Sequence, residues 1–137
     1  ATTMGLANPS EVDEMFTTVF ERHPNLDMGL HLHDTNGMSL ANTLVAMQCG
    51  VSRFDTSHCG LGGGVVLPEE LADVGNTPTE DLLQMLSGMG IETSADFETV
   101  TTVANEVATQ LELGSRSHVL KGGTIDQVLK TTLENKK

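Results

Sequence analysis

Two short runs of alternating polarity bracket a helical rhythm, and together they restrict this chain to an α/β architecture. In Asp27–His33, apolar Met28, Leu30 and Leu32 alternate with Gly29, His31 and His33, the period-2 signature of a strand. In Val51–Ser57, Phe54 alternates with Arg53 and Asp55. Between them Asp34-Thr35-Asn36-Gly37 breaks the first strand. Met38 to Cys49 then predicts a helix with Leu40, Leu44 and Met47 on its apolar face, stopped at Gly50. A crossover of this length joins parallel strands, almost always with right-handed sense. Two parallel strands alone leave open edges and a half-covered sheet face, which a stable domain does not normally tolerate. Further strands are therefore expected from a longer protein or from another chain, with homo-oligomerisation as one form of assembly.

The flanking segments read as helices. Ala1–Ala7 looks like the tail of a preceding element, and Asn8-Pro9-Ser10-Glu11 is a helix start with Asn8 as N-cap and Pro9 at N1. Val12, Met15, Phe16, Val19 and Phe20 follow as one apolar stripe to about Arg22. His58–Asn76 is a long loop holding Gly60-Leu-Gly-Gly-Gly64 and the acidic insert Pro68–Asp73. Thr77-Pro78-Thr79-Glu80 predicts a capping box for a helix with Leu82, Leu83, Leu86 and Met89 inside. Ser94 is the expected cap of the next, carrying Phe97, Val100, Val103, Ala104, Val107, Ala108 and Leu111. After Gly114 a polar stretch leads to a last helix with Ile125, Val128, Leu129 and Leu133.

Composition narrows the function classes. Seven Lys and Arg against nineteen Asp and Glu make a net charge of −12, which opposes nucleic acid and anionic membrane surfaces alike. With no Trp or Tyr and four Phe, base-stacking platforms are missing. Cys49 and Cys59 form no disulfide framework, and no apolar run reaches membrane-spanning length. Both thiols are expected to be reduced, in the cytoplasm or, as the alternative, the mitochondrial matrix.

Residues two apart on a strand leave the same face with Cα atoms roughly 7 Å apart, so His31 and His33 can converge on one ion. The end of a strand, just before a helix, is where α/β proteins place ligands. The structural alternative is a half-buried strand whose histidines bond to their neighbours.

Further motifs carry a resemblance. His31-Leu-His33-Asp34-Thr35-x-Gly37, Ala41-Asn42-Thr43-Leu44, Phe54-Asp55-Thr56-Ser57, Gly60-Leu-Gly-Gly63 and Gly75-Asn76-x-x-Thr79-Glu80-Asp81 occur in that order. The chain thereby resembles the C-terminal part of the 3-hydroxy-3-methylglutaryl-CoA lyase family, within the metal-dependent TIM-barrel lyases and synthases. Biotin-dependent carboxyltransferases share His-x-His-Asp-Thr but not the Gly-Leu-Gly-Gly and Gly-Asn continuation.

The resemblance implies the C-terminal portion of a TIM (β/α)8 barrel: the end of strand six, strands seven and eight within residues 1–90, and a C-terminal helical extension over 91–137. It implies that His31, His33 and Asn76 ligate Mg²⁺ or Mn²⁺, with Zn²⁺ and Co²⁺ as alternatives, and that His31 also serves as a proton carrier. Asp34 and Asp55 become candidate supports for the histidines, with capping or a surface hydrogen bond as the alternative. Gly62, Gly63 and Gly64 become candidate contacts to an acyl-CoA substrate. The family's loop cysteine aligns with Gly64; Cys59 is the candidate substitute acid, or else a buried inert thiol. The implied reaction is retro-Claisen cleavage of a 3-hydroxyacyl-CoA to acetyl-CoA and acetoacetate, needing an N-terminal barrel half. The alternatives are a synthase condensing acetyl-CoA with a 2-oxo acid, and a non-catalytic scaffold or partner subunit.

Overall fold

The computed structural model describes residues 4–63, 75–112 and 114–134. It divides into two compact units, one of residues 1–56 with 62–77 and a second of residues 57–61 with 78–137.

In the first unit the order is α1 (Pro9–Arg22), β1 (Gly29–His31), α2 (Ser39–Gln48) and β2 (Arg53–Asp55). Helix α1 begins as expected. The Asn8 side chain accepts from Glu11 N–H at 3.1 Å and Glu11 accepts from Asn8 N–H at 3.0 Å, closing both halves of a capping box. Strands β1 and β2 pair in parallel, Gly29 with Arg53, Leu30 with Phe54 and His31 with Asp55. Both strands are shorter than the alternation suggests. Beyond His31 the chain bonds to a returning segment instead: Leu32 C=O accepts from Thr77 N–H at 3.1 Å.

Leu30 and Leu32 point into a core with Ala7, Val12, Phe16, Ala46 and Val51. Helix α2 corrects the expected apolar face. Its buried side is Ser39, Asn42, Thr43 and Ala46, while Leu40, Leu44 and Met47 lie half-buried on its flank. Close approach explains the inversion. Asn42 Nδ2 donates to Ala7 C=O at 2.8 Å, a distance that bulky side chains on that face would forbid.

The second unit holds a 3-10 turn at His58–Gly60 and helices α3 (Thr79–Gly88), α4 (Phe97–Gln110), α5 (His118–Gly122) and α6 (Ile125–Glu134). Leu82, Leu83, Leu86, Ala104, Val119 and Cys59 are its buried apolar residues. Met89, expected inside, is exposed, as are Ile125, Val128, Leu129 and Leu133 of α6. Two caps differ from expectation. Asp96, not Ser94, caps α4, its Oδ1 accepting from Thr99 N–H at 2.8 Å; that bond holds the Asp96 carboxyl below its usual range. At α3 the cap is Pro78 with no side-chain bond, because Glu80 turns to Cys59 and His58. The polar stretch after Gly114 contains α5, capped by Ser117.

Candidate metal and substrate site

His31 ends β1 directly across from Asp55, which ends β2. That register brings His31 Nδ1 within 3.0 Å of Asp55 Oδ2. An ionised carboxylate only accepts, so Nδ1 carries the proton that faces Asp55, and in the neutral tautomer this leaves the Nε2 lone pair for a ligand. Both side chains are largely solvent-exposed, so the pair adds little stability. What it supplies is orientation, as a carboxylate behind a metal-binding imidazole does. Asp55→Asn is accordingly expected to weaken divalent-metal binding about 10-fold while leaving the melting temperature in place. A metal titration beside a thermal melt checks both, and unchanged metal binding would remove Asp55 from the site.

His33 stands on the same side of the chain. The two rings have centroids 5.2 Å apart and planes inclined at 72°, as the alternation predicts. His33 forms an antiparallel bridge with Asn76, and Gly63 forms one with Gly75. Asp34 N–H donates to Gly75 C=O at 2.9 Å and Thr77 N–H to Leu32 C=O at 3.1 Å. The segment 75–77 therefore runs back along 32–34 and delivers Asn76 beside the second histidine. His33 Nδ1 is buried with no hydrogen-bond partner among the described residues. Burial, then the neighbouring His31, lowers the His33 pKa from its ordinary value. The ring is therefore held in the neutral form that metals bind.

Two imidazoles and an amide are donors that suit a divalent cation, and one of the imidazole nitrogens, His33 Nδ1, is buried without a partner among the described residues. Among the described residues, no three His, Cys, Asp or Glu side chains gather as a metal site. The set is thus partial, and remaining donors have to come from elsewhere.

The other sequence candidates fall in different places. Asp34 Oδ1 accepts from Ser39 N–H at 2.8 Å, so its carboxylate starts α2 and makes no hydrogen bond to either imidazole. Gly62, at φ +95°, has its α-carbon against the Asn76 amide. Gly64 and the acidic insert lie outside the described residues. Cys59 belongs to the second unit. Its thiol is 2% exposed and donates to Ala104 C=O at 3.1 Å, and burial, then Glu80, pushes it up. Within the second unit the thiol is thus buried and hydrogen-bonded.

Three arrangements escaped the sequence. Glu80, fully buried, accepts from Cys59 N–H at 3.1 Å and pairs with His58 Nδ1 at 3.1 Å. Asp81 gathers Ser117, His118 and Val119. Gly5, at φ +67°, packs on His33. The Gly75-Asn76-x-x-Thr79-Glu80-Asp81 run contained two of them, but only as helix-start residues.

The HMGL-like family model matches residues 1–107. The chain belongs to the HMGL-like family. Among curated HMGL-like relatives it is 38% identical over 117 residues to the mitochondrial hydroxymethylglutaryl-CoA lyase of Mus musculus, covering 85% of this chain and 35% of that protein. It is 38% identical over 115 residues to the hydroxymethylglutaryl-CoA lyase of Pseudomonas mevalonii, covering 84% and 37%. Among solved structures, the HMG-CoA lyase of Acinetobacter baumannii in complex with coenzyme A and 3-methylmalate superposes with a TM-score of 0.80. It is 34% identical, over 90% of this chain and 39% of that one. The HMG-CoA lyase of Bacillus subtilis also scores 0.80, at 35% identity, over 88% and 39%. The chain thus spans little more than a third of the length of these HMGL-like relatives.

Proposed function

We propose that this chain is the C-terminal part of a (β/α)8 barrel that cleaves a 3-hydroxyacyl-CoA, as hydroxymethylglutaryl-CoA lyases do. In this reading the chain supplies the end of strand six, β1 is strand seven and β2 is strand eight, with the helical extension following from about residue 91. The parallel register of β1 and β2 across one helical crossover supports it, as do the relatives' names and the share of their length covered here. The single observation that carries the proposal is the pairing of the His31 and His33 rings, 5.2 Å apart, on a segment bridged at His33 to Asn76.

The reaction is a retro-Claisen cleavage. The substrate hydroxyl gives its proton to a base and becomes a carbonyl. The C–C bond pair passes to the thioester α-carbon, and that enolate takes a proton to yield acetyl-CoA. His31, His33 and Asn76 would hold the divalent cation, which when bound polarises substrate oxygens and stabilises alkoxide charge. Asp55 holds the His31 ring by Nδ1, so His31 has one nitrogen to offer. It either ligates or carries a proton at a given moment, and the carboxylate behind it favours ligation. His33 contributes a ring that burial keeps neutral. Arg53 is tied to Asp27 at 2.8 Å, leaving coenzyme A phosphates to basic residues of the barrel's other part. That part also supplies the base and the remaining metal ligands, from the same longer protein or from a second chain.

The test is to complete the barrel with the N-terminal part of a lyase relative and to assay it beside the 137-residue chain alone. The completed barrel is expected to release acetoacetate from hydroxymethylglutaryl-CoA, and the isolated chain is expected to show no turnover. A completed, metal-loaded barrel that released no acetoacetate would refute the lyase proposal. Coenzyme A released with a 2-oxo acid would point to the condensing synthases.

A further inference from the structure

Two glycines, which have no side chain to ligate with, lie against the two residues of the His33–Asn76 bridge. A Cβ built on Gly62 would stand 2.5 Å from Asn76 Nδ2. A Cβ on Gly5 would stand 2.9 Å from both the carbonyl carbon and the Cβ of His33, and 2.7 Å from Thr35 Oγ1. Both glycines have positive φ, +95° and +67°. That alone does not distinguish them: Gly37 at +72° and Gly50 at +101° also have it, with nothing within 4 Å of their Cβ positions. What sets Gly5 and Gly62 apart is the identity of the atoms lying over their α-carbons.

We propose that Gly5 and Gly62 are positioning residues, whose bare α-carbons let the His33 backbone and the Asn76 amide settle where they converge with His31. The inference rests on the metal-site proposal and adds to it. It gives the Gly-Leu-Gly-Gly motif a steric task, to seat an amide donor, in place of the anion-cradling task that glycine-rich loops otherwise suggest. The two glycines differ in how a substitution would be absorbed. At Gly62 the obstacle is the tip of one side chain, which can swing away. At Gly5 it is backbone and a Cβ, so the chain at His33 itself must shift. Gly62→Ala therefore damages the donor geometry more than the fold, and Gly5→Ala damages both.

The experiment is a Mn²⁺ titration, by NMR, of the barrel completed with the N-terminal part of a lyase relative, following paramagnetic broadening of the His31 and His33 ring resonances and the Asn76 side-chain amide. The variants are Gly62→Ala, Gly37→Ala, Asn76→Ala and the double variant Gly62→Ala with Asn76→Ala. Gly62→Ala is expected to move the Asn76 amide resonances before any metal is added and to weaken Mn²⁺ binding about 10- to 100-fold, the range for lost ligand support. Gly37→Ala introduces the same backbone strain and is expected to leave Mn²⁺ binding unchanged. In the Asn76→Ala background, Gly62→Ala is expected to have no further effect, and the double variant should melt above Gly62→Ala. Binding of parental strength in Gly62→Ala, or an equal loss in the Asn76→Ala background, overturns the positioning role. A completed parent barrel whose His31 and His33 signals ignore Mn²⁺ overturns the metal site instead, and unmoved Asn76 resonances in Gly62→Ala then overturn the seat as well. Should Gly62→Ala not fold while Gly37→Ala does, the double variant decides: recovery of folding supports the clash with Asn76, and continued failure refutes it.

Discussion

Asp81→Ala is expected to destabilise the second unit by about 3–5 kcal/mol, the scale for removing one partner of a buried charged network. The Asp81 carboxylate is 5% exposed. It accepts from Ser117 Oγ at 2.6 Å, from the backbone N–H groups of His118 and Val119 at 2.9 Å each, and from His118 Nδ1 at 3.0 Å. Ser117 Oγ in turn accepts from Leu120 N–H at 3.2 Å, so one carboxylate on α3 organises the start of α5. The His118 ring is largely in solvent and adds little. The cost lies in Ser117 and Val119, buried donors left without an acceptor at about 1–3 kcal/mol apiece. Against a total stability of about 5–15 kcal/mol for a domain, such a loss empties much of the folded population. Urea denaturation followed by circular dichroism measures it, and a loss below about 1 kcal/mol, the net worth of one ordinary hydrogen bond, would show that water replaces the carboxylate. Asp81→Asn, which keeps an acceptor oxygen, should fall between.

The second large effect belongs to the metal site. His33→Ala is expected to weaken divalent-metal binding by more than the ~10- to 100-fold that loss of a supporting group causes, and to abolish acetoacetate release by the completed barrel. The pH dependence has a defined sign. Protons compete with a cation for the imidazole, and His33 is lowered from its ordinary 6.5 by burial first and by His31 second. His33 thus stays open to metal at pH values where an ordinary histidine is half protonated, and is lost to protonation only further into acid. Without metal, the unfolded chain binds that proton more readily than the folded one. The first unit should therefore lose stability as pH falls from about 6.5 toward the lowered value, and His33→Ala should remove that part of the slope. Metal affinity of the parent and His33→Ala chains across pH 5–8, beside their unfolding curves, tests both. A parent whose metal affinity already collapses at an ordinary histidine pKa would show that burial does not protect this ring.

Much of the candidate site was legible because it rests on short-range geometry. The alternation from Met28 to His33 places two imidazoles on one side of the chain in any strand, and their rings meet at 5.2 Å. Asn8, Pro9 and Glu11 are a local instruction, and α1 follows it. Cues that could serve more than one purpose misled. Leu40, Leu44 and Met47 have helical spacing, yet α2 turns Ser39, Asn42 and Thr43 inward, since contact with Ala7 asks for small polar groups more than for apolar bulk. Thr77 and Glu80 have capping-box spacing, yet Thr77 Oγ1 donates to Leu32 C=O and Glu80 serves Cys59 N–H. A buried donor elsewhere outcompeted the local one.

By itself, then, the order of residues determined the start of α1, the strand pattern, the shared side of His31 and His33 and the motif sequence that marks the family. Each of these depends on residues a few positions apart, whose relation the backbone geometry already dictates. Only the tertiary structure decided that Asp55, 24 residues on, holds His31, that Asp81 accepts from Val119 N–H in a helix 38 residues away, and that Gly5 and Gly62 make room for His33 and Asn76. Those pairings depend on which distant segments fold against each other, and excluded volume and unpaired buried donors choose among them only once the chain is closed.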